Sequence, residues 1–316
     1  MSLNRRMLGG LTVVTGIGVL VLAALRNTGP EGGVTQPPAD QPVRGASAVK
    51  SSPKEFDQLL AVMAGGGTTL ELENAIGFLD SVTRTGRALT DTQRVALLAA
   101  LEHGTPAGLS EGAWSHIFNS SCNALAVGRP AADEALLGLL ERVAKTDPRR
   151  VMRLYSLQHL GLLYAAANPT ARQRMRALVQ CLLADPSSQT AGTALVLWRS
   201  WERTAGPGEI SSLDLSRAIA ADAQRPVDVR VTALHAIGDD PGVLDLARAI
   251  APDKSQPVIL RKAALNLIGR HGEERDLEVL RLCGRGNPRL AQAGDPAARS
   301  LKDRLAGRPQ PVLRPY

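Results

Sequence analysis

Aromatic residues are scarce, with three Trp, three Tyr and three Phe in 316 positions. Strands of β-sandwiches and barrels draw on aromatic and β-branched side chains, so this shortage argues against an all-β body. The three cysteines, Cys122, Cys181 and Cys283, are odd in number, far apart and without CxxC spacing. They supply neither a complete disulfide framework nor a zinc pair, and each is expected to pack as a small buried hydrophobe. His103, His116, His159, His235 and His271 form no HExxH and are expected to be satisfied histidines. Gly65-Gly66-Gly67 precedes Thr68-Thr69 without the Lys of a phosphate loop, and Asp239-Asp240 reads as a turn cap. No catalytic residue, cofactor or metal ligand is assigned.

What is present is an ordinary folded composition, 44% hydrophobic and 21% charged, with 30 Gly and 20 Pro. A core of Leu, Ala, Val and Ile between many short elements favours helices joined by tight turns. The formal charge of +7 is consistent with simple solubility.

Leu8 to Leu25, LGGLTVVTGIGVLVLAAL, carries no charge and lies between Arg5-Arg6 and Arg26. A helix of that length spans about 27 Å, enough for the hydrocarbon of a bilayer. It exceeds a typical secretory apolar core, which favours an uncleaved signal-anchor; Val21 and Ala23 would suit a cleavage site near Ala23 and a secreted product. The flanking arginines place residues 1–7 in the cytoplasm and the body on the far side of a bacterial inner membrane, crossed once. Asn4-Arg5-Arg6-Met7-Leu8 faintly resembles a twin-arginine export signal, although Gly9 stands where a second large apolar residue belongs. Residues 26–52 are rich in Pro and Gly without apolar periodicity and read as a disordered tether.

From 53 to 306, apolar stretches of about 10 to 20 residues recur, each closed by Gly, Pro, Asn or Asp. Helices are predicted near 54–64, 70–84, 90–103, 110–126, 131–146, 149–167, 170–184, 189–203, 213–223, 228–237, 241–250, 257–270, 274–284 and 296–306, with 307–316 a flexible tail. In Thr90–Gly104, Thr90 is expected to cap the start, Val95, Leu98 and Leu101 to share the inward face, and Gly104 to end the helix.

The segments 226–238 and 257–269 superimpose at an offset of 31 residues, with identities at Pro226/Pro257, Val227/Val258, Arg230/Arg261, Ala233/Ala264, Leu234/Leu265, Ile237/Ile268 and Gly238/Gly269. Pro suits a first helical turn, Ala permits a close helix neighbour, and Gly suits the end. The pattern resembles the bacterial HEAT-repeat family, whose units share the flavour Pro-x-x-Val-Arg-x-x-Ala-x-x-Ala-Leu, then Gly-Asp and a second helix. Val229-Arg230 and Asp239-Asp240 fall at matching places, and Val243 to Ile250 supplies the partner helix. The likeness is clear over 226–306, with Pro288 and Pro296 marking an atypical last unit, and loose over 53–225. It implies an all-α, right-handed solenoid of the armadillo-like kind, and a role in holding partners rather than in catalysis.

Charge is uneven. Residues 141–180 hold eight basic side chains against two acidic, 281–316 again eight against two, and 53–91 six acidic against three basic. Arg149, Arg150, Arg153, Arg172 and Arg176 lie three or four apart within two consecutive helices and are expected to form a patch for an anionic partner, unless neighbouring helices use them in salt bridges. Trp198 and Trp201 share a face expected to be buried. The reading that follows is a non-enzymatic, membrane-tethered or exported scaffold for a protein partner. Acidic lipid or an envelope polymer could engage the basic faces. Nucleic acid is the alternative polyanion and is disfavoured by the expected compartment; a HEAT-like lyase finds no supporting residues.

Overall fold

Local chemistry sets the helix boundaries in the computed structural model, which describes residues 53–65, 67–129, 131–205, 211–238, 240–285 and 287–308. The apolar segment 8–25 and the tether 26–52 lie outside the described residues. The described part is all-helical, with fourteen α-helices, two 3-10 turns and no strand.

In chain order the helices are α1 (Pro53–Met63), α2 (Thr69–Thr85), α3 (Asp91–Glu102), α4 (Glu111–Ala126), α5 (Glu134–Thr146), α6 (Arg150–Leu163) and α7 (Pro169–Ala184). They continue as α8 (Ala191–Ala205), α9 (Ser212–Ala221), α10 (Val227–Ile237), α11 (Leu244–Ile250), α12 (Val258–His271), α13 (Asp276–Gly284) and α14 (Pro288–Leu305). Thr68 with Glu71 and Thr90 with Gln93 form reciprocal capping boxes, while Ser110, Asp133, Asn168, Ser211 and Asn287 cap their helices singly. Each cap satisfies amide donors that the helix itself leaves without partners. Gly86 ends α2 in the left-handed conformation at φ 67°.

Packing follows chain order. Sequential helices pair (α1 with α2, α5 with α6, α7 with α8, α9 with α10, α11 with α12, α13 with α14), and the even-numbered helices touch one another in an unbroken series from α2 to α14. On α7 the buried positions Ala171, Met175, Val179 and Leu183 repeat every four residues, one stripe against its neighbours. α12 is buried from Ala263 through Gly269 because α10, α11, α13 and α14 surround it. Fully burying a Leu or Phe side chain contributes about 2 kcal/mol, and this core is continuous from Phe56 to Leu301. Two glycines lie at close crossings, and the second admits no side chain unless the helices part. A Cβ on Gly161 of α6 would stand 2.4 Å from Leu197 Cδ2, and one on Gly269 of α12 would stand 2.8 Å from both Cα and Cβ of Ala297.

Five expectations need correction. Gly269, expected to end its helix, lies inside α12, which runs on to His271, and serves the close crossing with Ala297 instead. On α3 the inward face is Arg94, Leu97 and Leu101, whereas Val95 is 68% exposed. The face is turned because the Arg94 guanidinium donates to the Leu125 carbonyl at 2.5 Å and pairs with Asp133 at 2.5 Å, a buried polar anchor that outranks a methyl contact. The last helix begins at Pro288 and runs through Pro296: Asn287 caps it and Pro288 needs no amide donor in the first turn. The helix expected to 167 becomes 3-10 at Tyr164–Ala166. Cys122 and Cys283 are buried but Cys181 is exposed, being off the apolar stripe of α7. Of the tail, Gly307 and Arg308 are described, and Arg308 pairs with Asp303 at 2.6 Å.

Candidate functional site

The five arginines singled out in the sequence sit on α6, α7 and the residue before α6. Each has a partner within the chain. Arg149 grips Asp147 through Nε at 2.9 Å and Nη2 at 2.7 Å, donates from Nη1 to Thr105 Oγ1, and is half-buried. Against the desolvation that burial imposes, this guanidinium and the Arg149 amide hold the Asp147 carboxyl below its usual range, and the carboxylate raises Arg149 in turn. Arg153 donates to the carbonyls of Asp147 at 2.7 Å and Pro148 at 3.1 Å, so these two arginines converge on one turn. Arg150 is exposed and reaches away to Asp228 on α10.

Arg172 and Arg176 converge instead on Tyr164. Arg172 donates to the Tyr164 carbonyl at 3.0 Å and the Ala165 carbonyl at 2.5 Å, closing the 3-10 turn. Arg176 donates to the Tyr164 hydroxyl at 2.7 Å. Tyr164 stacks on Trp201 with centroids 4.3 Å apart, and the Arg176 guanidinium lies 5.9 Å from the Tyr164 and Trp198 rings. Trp198 and Trp201 are 4% and 3% exposed, so this cation–π stack joins α7 to α8 as part of the core.

Two further polar residues singled out in the sequence, His159 and Asp240, have local partners. His159 is buried, shares a 3.0 Å hydrogen bond with Asn119 Oδ1, and is pushed down to about 4 by desolvation. Asp240 pairs with Arg217 and accepts from the Gly242 amide, capping its turn. Among the described residues, no three of His, Cys, Asp and Glu gather to hold a metal ion, and no helix is long and apolar enough to cross a membrane. An open depression of about 500 Å³ between α1 and α3 is lined mainly by Leu60, Met63, Ala96, Ala100 and Pro106, with His103 at its edge. It offers apolar area and little chemistry.

A cationic surface that is no run in the sequence comes from the even-numbered helices. Each of α6, α8, α10 and α12 is covered by its row neighbours and by an odd-numbered helix. The side left over carries Arg150, Leu154, Gln158 and Leu162 on α6, and Val196, Arg199, Ser200 and Arg203 on α8. It continues with Asp228, Val231 and His235 on α10, and Ile259, Lys262 and Arg270 on α12. The helical spacing of three and four is what aligns these positions, and nothing short of knowing which faces are covered could have selected them.

Comparison with protein-family models, with characterised proteins and with solved structures finds no match to this chain.

Proposed function

We propose that the protein is a non-enzymatic scaffold, tethered to the bacterial inner membrane by residues 8–25 or exported after cleavage near Ala23, whose body is an α-solenoid of HEAT-like helix pairs that holds partner proteins. The observation that carries the reading is the packing order, in which sequential helices pair and the even-numbered helices contact in series, as stacked repeats do. The repeat residues support it physically. Arg230 and Arg261, 31 positions apart, are both buried and make the same bond to the helix before them. A surface built from serial stacking is extended, which suits holding a chain or a protein face better than enclosing a small substrate.

Membrane retention is tested by carbonate extraction and by protease accessibility of the body in intact inner-membrane preparations. The expected result is an extraction-resistant chain whose body is cut from the outer side. A soluble body protected from protease would end the tethered reading. Partner holding is tested by crosslinking in intact cells and identifying the species trapped along the even-numbered helices.

A second reading, binding of a polyanion such as acidic lipid or envelope polymer, is favoured by the eight-to-two excess of basic residues over 141–180. Arg150, the exposed member of the five arginines, is the residue to replace. If binding of anionic vesicles by the full chain is salt-sensitive and Arg150→Ser weakens it, that reading gains.

A further inference from the structure

We propose that α3, α5 and α7 are held at their spacing by exposed arginine–carboxylate clasps, so that this row of odd-numbered helices opens as ionic strength rises, while the even-numbered row stays closed and serves as the hinge line. The inference goes beyond the scaffold reading, since it concerns how the helix rows move and not what they hold.

The two rows are joined by different physics. Even-numbered neighbours meet at close crossings: Gly161 of α6 lies against Leu197 of α8, Gly192 of α8 against Thr232 of α10, and Gly269 of α12 against Ala297 of α14. Contacts of this kind rest on dispersion and on area removed from water, which a screening salt does not weaken. Arg150 with Asp228 also joins even-numbered helices, but it runs from α6 to α10 across two steps that these crossings already close.

Odd-numbered neighbours are tied by charge. Arg142 of α5 reaches Glu102 of α3 at 3.2 Å, and the two side chains are 53% and 54% exposed. Arg174 of α7 reaches Glu134 and Glu141 of α5 at 2.8 and 3.3 Å and is itself well exposed. An exposed pair shifts an equilibrium by about fivefold at most, and salt screens it. At its other end α3 is tied differently, because the buried Arg94 holds Asp133, the cap of α5. Arg94 and Glu102 stand eight positions apart. That is about 12 Å along the helix, so α3 has a fixed point near its start and a releasable clasp at its end.

The first gap of the row shows a step without a clasp. Between α1 and α3 the facing residues Leu60, Met63, Ala96 and Ala100 offer no opposite charges, and an open depression of about 500 Å³ stands there. Further along, Arg248 of α11 binds Asp276 of α13 at 2.8 Å, but that carboxylate is 3% exposed, so salt weakens this tie little and it stays shut.

The test measures distances between spin labels by pulsed electron resonance, on the full chain in a neutral detergent, from about 0.05 to about 1 M sodium chloride. The native Cys181 on α7 is exposed, whereas Cys122 and Cys283 are buried, so Val95→Cys supplies the second label of an α3–α7 pair. Leu162→Cys with Ile259→Cys, in a Cys181→Ser background, reports the even-numbered row from α6 to α12. Raising salt should move the α3–α7 population to longer distances and leave the α6–α12 distance unchanged. Arg142→Gln with Arg174→Gln should produce the longer distances already at low salt, raising the open fraction about fivefold or more, and should remove the further response to salt. If that double variant melts early, Arg142→Gln alone takes its place. Glu102→Arg with Arg142→Glu, which exchanges the two charges, should restore the closed distance at low salt. The proposal is overturned if salt leaves the α3–α7 distance where it is, if the α6–α12 distance moves as much, if the neutral variant keeps its salt response, or if the exchanged pair stays open. Partner crosslinking tests the scaffold reading separately, and neither result decides the other.

Discussion

Arg261 repeats, 31 residues on, the bond made by Arg230: Nε of Arg230 donates to the Ala220 carbonyl at 3.0 Å, and Nε of Arg261 donates to the Ala251 carbonyl at 2.9 Å. In each case the acceptor is ten residues back, at the end of the preceding helix, where carbonyls lack intrahelical partners. Burial lowers the pKa of Arg230, so its cost is met by this hydrogen bond and by Gln256 Oε1 at 3.0 Å. Arg230→Met and Arg261→Met should each lower the unfolding free energy by about 1–3 kcal/mol, because a buried carbonyl loses its donor. Urea unfolding followed by circular dichroism is the measurement, and no loss at either position would remove the capping role.

Ala233 and Ala264 are fully buried at the helix faces that the repeat aligns. Ala233→Arg or Ala264→Arg would bury an unpaired charge at a cost of several kcal/mol and should unfold at least the C-terminal units. An unchanged melting temperature would mean that the helix phase is wrong.

Glycine substitutions should sort by what the new methyl meets. Gly269→Ala drives a Cβ into Ala297 backbone at 2.8 Å, so α12 and α14 must part, and a loss of about 1–3 kcal/mol is expected. Gly161→Ala meets the movable end of Leu197 and should cost less. Gly77→Ala on α2 and Gly138→Ala on α5 meet nothing within 4 Å and should stabilise by about 0.5–1 kcal/mol. Thermal melts of the four variants test the order; Gly269→Ala as benign as Gly77→Ala would contradict the close crossing.

His159 gives the body an acid sensitivity. In the unfolded chain it titrates near 6.5, and in the folded chain near 4 because burial disfavours the charged ring. Between those values the unfolded state binds the extra proton, so stability is intact above about pH 6.5 and falls as pH drops towards 4, by about 3 kcal/mol in all. The carboxyls of Asp147 and Asp276, held low by arginine despite desolvation, lose their contributions only in more acidic solution. His159→Gln, which keeps a donor for Asn119, should flatten the profile between pH 6.5 and 4; an unchanged slope in chemical denaturation would place the titration elsewhere.

Helix boundaries were legible in the sequence because caps and breakers act within one turn. Thr90 with Gln93, Asn168 before Pro169, and Pro226 and Pro257 ahead of α10 and α12 need no distant partner to have their effect, whereas Gly269 lies inside α12 and answers to the distant Ala297. The choice of inward face was not local. Arg94 displaced Val95 because Leu125 and Asp133, more than 30 residues away, offered a carbonyl and a carboxylate in the same place. Pro296 begins no helix, since Asn287 and Pro288 had already launched the one that runs through it. The five arginines were legible as helix neighbours, but that Arg149 and Arg153 hold one turn and Arg172 and Arg176 hold Tyr164 depends on where those acceptors lie in three dimensions. The cationic side of α6, α8, α10 and α12 spreads over 150–270, and its members share a surface because each helix buries its other sides. Periodicity can say that a residue lies opposite a buried one, whereas burial on three sides is a property of the packed neighbours, so tertiary structure alone decided which charges meet.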